Sequence, residues 1–320
     1  MIVVLPLGLM TAILAAGQTS PRAAKSWTAP RTPDGRPDLQ GLWNNTTLTP
    51  LERPRNFTGK EFFATEEEAA AYAKGIVHRR AQDPNDGAND VADPNVWWER
   101  ATTVVATGRT SLIVDPPDGR IPALTPEAQK RMADTRAATS QHPADRASDR
   151  SLQERCLLSP TSGPPMLPGP YNNNYQIVQT PDTVMIAIEM IHDVRIVALD
   201  GRPHLPQAIR KWLGDSVGHW ENNTLVVDTT NFTDQTHFRG SDRNLHLVER
   251  FTRTGPETIL YQFTVDDPTA FVKPWTAELP MVRSAGPMYE FACHEGNFAL
   301  GRMLSIARQA EKAAAQAGSK

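Results

Sequence analysis

Leu245-His246-Leu247-Val248-Glu249-Arg250-Phe251-Thr252-Arg253-Thr254-Gly255-Pro256-Glu257-Thr258-Ile259-Leu260-Tyr261-Gln262-Phe263-Thr264-Val265-Asp266 reads as two strands around a turn. In the first, Leu245, Leu247 and Phe251 share a face with Glu249, opposite His246, Val248, Arg250 and Thr252. In the second, Ile259, Tyr261, Phe263 and Val265 alternate with Leu260, Gln262, Thr264 and Asp266. A period of two belongs to a pleated strand, and Gly255-Pro256 between the runs is turn chemistry.

The same pattern extends outward from Tyr175 to about Phe291. Further strands are predicted over Tyr175–Thr180, Thr183–Met190, Arg195–Leu199, Ser216–Glu221, Thr224–Asn231, Trp275–Val282 and Met288–Cys293. Pro181-Asp182, Asp200-Gly201-Arg202-Pro203, Asn222-Asn223 and Ala285-Gly286-Pro287 separate them. Leu205–Leu213 has room for a helical turn or more. Strands recurring every 8–12 residues or so, joined mostly as hairpins, argue an all-β fold rather than βαβ units. The expected architecture is an antiparallel up-and-down meander closing into a lipocalin-like β-barrel, since closure removes the edges. One face of the strands is strongly apolar and the other mixed. An apolar outside covered by other segments, with a mixed inside lining a pocket, fits this pattern; so does a plain half-buried sheet.

The chain before the meander is different. Met1–Gly17 is an uncharged apolar run ending in small residues, and it matches the hydrophobic region and cleavage site of a secretory signal cut ahead of Gln18. It is short of the roughly 20 apolar residues of a transmembrane helix. Gln18 to about Pro54 reads as an extended arm, with one short strand at Asp38–Trp43 packing Leu39 and Trp43. Thr65-Glu66-Glu67-Glu68 opens a helix running to about Arg80. The polar loop Asp83–Asp90 has its glycine fifth, not sixth as an EF-hand requires, and Trp97-Trp98 reads as an apolar plug. Ser111–Leu124 is a hairpin signal around Pro-Asp-Gly. Thr125-Pro126 starts a second helix, which fades into a charged connector from Arg136 to Glu154. Pro- and Gly-rich Ser159–Pro170 marks the boundary between an N-terminal region, 18–158, and a barrel domain, 159–320. From Gly296 or Asn297 an amphipathic helix closes the chain and is expected on the outside of the barrel.

Composition excludes several function classes. Among 320 residues, 33 Lys and Arg stand against 36 Asp and Glu without a basic stripe, which argues against nucleic acid as a partner. The 27 prolines with only 7% aromatic residues indicate many turns around a limited core. Nucleophile elbow, Walker loop and dinucleotide fingerprint are all missing from the sequence, so no cofactor is expected. Two cysteines, Cys156 and Cys293, in an exported chain are most simply a disulfide. Such a bond leaves neither thiol for nucleophilic or metal chemistry.

Gly214-Asp215-Ser216-Val217-Gly218-His219-Trp220-Glu221, Thr224–Phe232, Leu245–Arg253, Asp266-Asp267-Pro268 with Pro274-Trp275-Thr276, and Tyr289–Asn297 together resemble the signatures of a large, uncharacterised family of exported bacterial proteins. The likeness spans roughly residues 160–305, and Asn222-Asn223 replaces the family's usual Gly-Asp turn. It implies a coherent domain and export, and no particular reaction.

Two ionisable clusters lie at predicted strand ends. In Glu189-Met190-Ile191-His192-Asp193-Val194-Arg195, a carboxylate beside an arginine suits a general base or the holding of an acidic substrate, and equally a salt bridge tying a turn. Cys293-His294-Glu295 precedes the last helix. The histidines lack the local spacing that makes a zinc claim strong, so no metal is expected. The expected function is binding of a small, partly apolar organic ligand in a pocket drawing on Tyr175, His219, Glu249 and Trp275. The same pocket, with His192 or His294 moving protons, Glu189 as carboxylate and Arg195 holding an oxyanion, would make an acid–base enzyme (lyase, isomerase, hydratase or hydrolase). A third reading is an extracytoplasmic interaction protein using the proline-rich arm. After signal cleavage no membrane attachment is expected.

Overall fold

The computed structural model describes residues 27–83 and 100–318. The signal-like segment, Trp97-Trp98 and all but the first residue of the Asp83–Asp90 loop lie outside the described residues. Ten strands form one sheet: β1 (Gly41–Asn44), β2 (Ile113–Asp115), β3 (Asn174–Gln179), β4 (Thr183–Ile188), β5 (Val194–Ala198), β6 (Asp215–Glu221), β7 (Thr224–Thr230), β8 (His246–Gly255), β9 (Thr258–Asp266) and β10 (Trp275–Arg283). Strands β3 to β10 follow one another in space as in sequence, and β1 bridges β3 to β10. The result is the expected closed barrel, of nine strands, with β2 added beside β10.

Three features depart from a simple meander. Strands β5 and β6 pair in parallel through Val197↔Ser216 and Ala198↔Val217, so residues 199–214 form a crossover rather than a hairpin. Within it Leu205–Leu213 makes two separate turns rather than a helix, Ile209 N–H donating to Pro206 O at 2.8 Å and Gly214 N–H to Lys211 O at 3.2 Å. The closing strand β1 comes from the N-terminal arm: Trp43 and Asn44 pair with Tyr175 and Asn174 on one side and with Arg283 and Val282 on the other. Because β1 takes up only that end of β10, β2 pairs with the other end, at Thr276 and Ala277. The expected Ser111–Leu124 hairpin is therefore replaced. Its first arm finds the open edge of β10, and Leu124 bridges Phe271 instead. Met288–Cys293 is not a strand either, because both edges of β10 are already paired.

The apolar face of most strands points inward; in β5 Val194 and Ile196 face out and Arg195 faces in. Val184, Ile186, Val227, Leu247, Phe251, Ile259, Phe263 and Leu279 are at most 1% exposed, while Met185, His246, Val248, Arg250, Gln262 and Thr264 lie half-buried on the outer wall. This corrects the reading of an apolar outside around a mixed, pocket-lining inside. At each end aromatic residues fill the bore: Trp43 beneath Arg253 and Arg283 at one, Trp275 among Phe238, Phe263 and Phe271 at the other. The Ser159–Pro170 segment packs against the inner wall, where Met166 N–H donates to Tyr261 Oη (3.0 Å) and Tyr175 Oη donates to Thr161 O (3.2 Å).

Helices decorate the barrel. In α1 (Glu66–Gln82), Thr65 caps the start by accepting from Glu68 N–H, and three glutamates face the positive end of the dipole. Thr125 caps α2 (Pro126–Gln141) in the same way, with Pro126 at the first position. The last helix, α3 (Phe298–Gly318), rests on the charged connector rather than on strands. Arg308 donates to Ala144 O and Asp145 O, and Arg150 reaches Met303 Sδ. Cys156 and Cys293 form the expected disulfide across a separation of 137 residues.

Candidate functional site

Arg195 and Glu249 meet in the middle of the barrel. Both sit on inward-facing strand positions, Arg195 at 3% and Glu249 at 0% exposure. Arg195 Nε donates to Ser216 Oγ (3.0 Å), Nη2 to Thr229 Oγ1 (3.0 Å) and Nη1 to Glu249 Oε1 (2.9 Å), and a second bond from Nη2 reaches Glu249 Oε2. Tyr261 Oη donates to Glu249 Oε1 at 2.8 Å. The guanidinium thus spans β5 to β8, over the parallel joint where β5 and β6 share only two register pairs. Burial and the Glu249 charge raise the Tyr261 phenol well above its ordinary value. Each nitrogen of the guanidinium and the Tyr261 hydroxyl bonds another protein group in a buried interior, so the network holds strands together.

Glu189 directly follows β4 and is 1% exposed. Its carboxyl group accepts from Asn174 N–H (3.2 Å), Asn174 Nδ2 (2.9 Å) and Tyr289 N–H (2.9 Å). The following turn has Ile191 at φ 68° and His192 at φ 53°, a left-handed region costly for a β-branched residue. That geometry swings His192 outward, where Nδ1 meets Phe291 O at 2.9 Å. Burial raises the Asp193 carboxyl. The cluster fastens the segment after β10 to the barrel wall, with the disulfide as second fastener.

The sequence-predicted site residues are therefore dispersed. Arg195 and Glu249 come together; Tyr175 and Trp275 are core residues, and burial raises the Tyr175 phenol. His192 and His294 are exposed on the outside, away from the Arg195–Glu249 pair. His219 sits on the outer wall, its Nε2 3.1 Å from Glu221, which also accepts from Arg250.

Two openings stand out among the described residues. A cleft of about 830 Å³ lies between α1, residues 47–51, the 160–170 segment and the loop before β8. Leu51, Tyr72, Leu112, Leu167 and Phe238 make its apolar wall, and Arg80, His237 and Arg239 add polar groups. Tyr72 is set by edge-on packing against Phe57, with Phe63 beside both.

The second feature lies on the outer wall beneath the crossover and was missed in the sequence. Lys211 Nζ donates to Asp215 (2.8 Å), His204 Nδ1 meets Asp215 (3.3 Å) and Nε2 meets Asp228 (2.9 Å), and Asp228 meets His246 Nε2 (2.9 Å). Burial works to raise the Asp228 carboxyl, but the bonds and charges of His246 and His204 hold it below its ordinary value. Asp215 is lowered against burial in the same way, by Lys211, Leu205 N–H and His204. The bond to Asp228 raises the His246 imidazole, against burial. Alternation placed His246 on the mixed face, as it does Asp228 on the neighbouring strand. The β6–β7 hairpin sets Asp215 near them, with Asp215 opposite Thr230 and Val217 opposite Asp228, but nothing local brings His204, which the parallel crossover supplies. Among the described residues no group of three or more His, Cys, Asp or Glu is disposed to hold a metal ion. Among known proteins, no family model, curated protein or solved structure matches this chain.

Proposed function

We propose that this is an exported protein that binds a small, partly apolar organic ligand, not inside its barrel but in the cleft at the barrel's mouth. The carrying observation is that cleft: about 830 Å³, with an apolar wall and arginines in its lining. Its size falls in the range of small-molecule sites, roughly 300–1,000 Å³, which are mainly apolar with a few convergent polar groups. The packed bore supports placing the ligand outside it. Export is supported by the Met1–Gly17 pattern, by the disulfide, which persists in oxidising compartments, and by the resemblance to exported bacterial proteins. Among the described residues no helix is long and apolar enough to cross a membrane.

The test uses 1-anilinonaphthalene-8-sulfonate, which joins apolar rings to an anion, and its displacement by medium-chain carboxylates. Saturable fluorescence is expected, weakened about tenfold by Ile76→Lys in the wall or Arg239→Ala in the lining, as loss of one buried apolar or charged contact implies. Binding indifferent to both substitutions sinks the reading.

A further inference from the structure

The chain of carboxylates and imidazoles on the outer wall ends in a groove of about 480 Å³. His204, Arg210, Arg243, His246 and Thr269 are among its lining. The arginines are its unusual members. Arg210 Nη1 donates only to carbonyls, Arg243 O (2.8 Å) and Phe232 O (3.5 Å), and its buried Nε has no hydrogen-bond partner. Among the described residues neither guanidinium forms an ion pair. Of the nearby carboxyl groups, Asp215 is engaged by Lys211 and His204, Asp228 by both imidazoles, Asp242 by Arg131, and Asp267 by Ser241 Oγ, Thr269 N–H and Thr269 Oγ1, while Asp266 lies opposite His246. A planar guanidinium presents forked donors suited to carboxylate or phosphate. His246 spends Nε2 on Asp228, and its Nδ1 has no partner among the described residues.

We propose that this groove binds a small oxyanion, carboxylate or phosphate, between Arg243, Arg210 and the ring of His246, and that occupancy is coupled to the proton on His246. Asp228 on β7 and Asp266 on β9 face that ring and favour the proton. His204 from the crossover shares Asp228 with that ring, and Arg243 from the loop before β8 carries the opposing charge, with Lys211 and Arg210 also on that side. An anion arriving beside Arg243 adds to the side that holds the proton. By reciprocity, the proton strengthens anion binding, so affinity falls as pH rises through the His246 titration.

Isothermal titration of the oxidised full chain at pH 7 and pH 9, with sulfate and with succinate, tests this, because both probes are fully ionised across that range. At least one probe binds saturably, about tenfold more tightly at pH 7, a usual size for coupling between two sites. Arg243 is exposed, so Arg243→Ala leaves the fold intact, yet it weakens binding about tenfold or more by removing a charged partner. His246→Gln still binds but loses the pH difference. Tighter succinate marks carboxylate as the recognised group; tighter sulfate marks phosphate. Absence of saturable binding by both probes at pH 7, wild-type affinity in Arg243→Ala, or a pH difference surviving in His246→Gln overturns the proposal.

Discussion

Replacing Arg195 with methionine removes the guanidinium that joins β5 to β8 and leaves Glu249, 0% exposed, with Tyr261 Oη as its remaining partner. Ser216 and Thr229 suffer less, since their hydroxyls already lie 3.0 Å apart and can satisfy each other. The cost is consequently dominated by an uncompensated carboxylate in a dry interior. Breaking a buried pair in this way costs about 3–5 kcal/mol. The double substitution Arg195→Met/Glu249→Leu removes the stranded charge and fills the space with apolar atoms. It is expected to lie within about 2 kcal/mol of the parent, since buried pairs often exchange for apolar residues at little net cost. Urea unfolding of the oxidised protein at pH 7, followed by tryptophan fluorescence, gives all four corners of the cycle. A single substitution costing under about 1 kcal/mol, or a double costing the sum of the singles, would refute the view that this pair is a desolvated clamp across the parallel joint.

Reducing the disulfide, or replacing Cys156 and Cys293 with alanine, reopens a loop set by their separation of 137 residues, worth up to about 5 kcal/mol on the chain-entropy relation. Oxidised and reduced forms unfolding at the same urea concentration would contradict it. Stability should also depend on pH through Asp228 and His246. The lowered Asp228 contributes above its unfolded value, near 3.9, and that contribution is lost as pH falls through its folded value; the raised His246 contributes below about 6.5, and that is lost as pH rises through its folded value. Both side chains are more than a third exposed, so the effect is small and screened by salt. In Asp228→Asn the plateau between roughly pH 4 and 6.5 should flatten; an unchanged stability–pH curve argues against the pairing.

The alternation from Tyr175 to Val282 determined the strands of the sheet by itself. A period of two with one continuously apolar side specifies strands, turn residues specify where they reverse, and closure is the cheapest way to pair their edges. The cysteine pair was legible too, since a chain with only two cysteines has one possible pairing within itself. Tertiary structure decided what local pattern cannot encode. Which face turns inward depends on what fills the bore, and here Met166 and its proline-rich segment join the apolar side chains there. Which strand closes the seam depended on Trp43 finding β10 from an arm more than a hundred residues earlier in the chain. The parallel crossover between β5 and β6 had the largest consequence. Strand alternation shows that Asp228 and His246 share a face and the β6–β7 hairpin sets Asp215 near them, but His204 and Lys211 reach the cluster only because residues 199–214 fold back over the wall. Side-chain direction is a local property of a strand and can be read from sequence, whereas convergence across a crossover is set by topology and cannot.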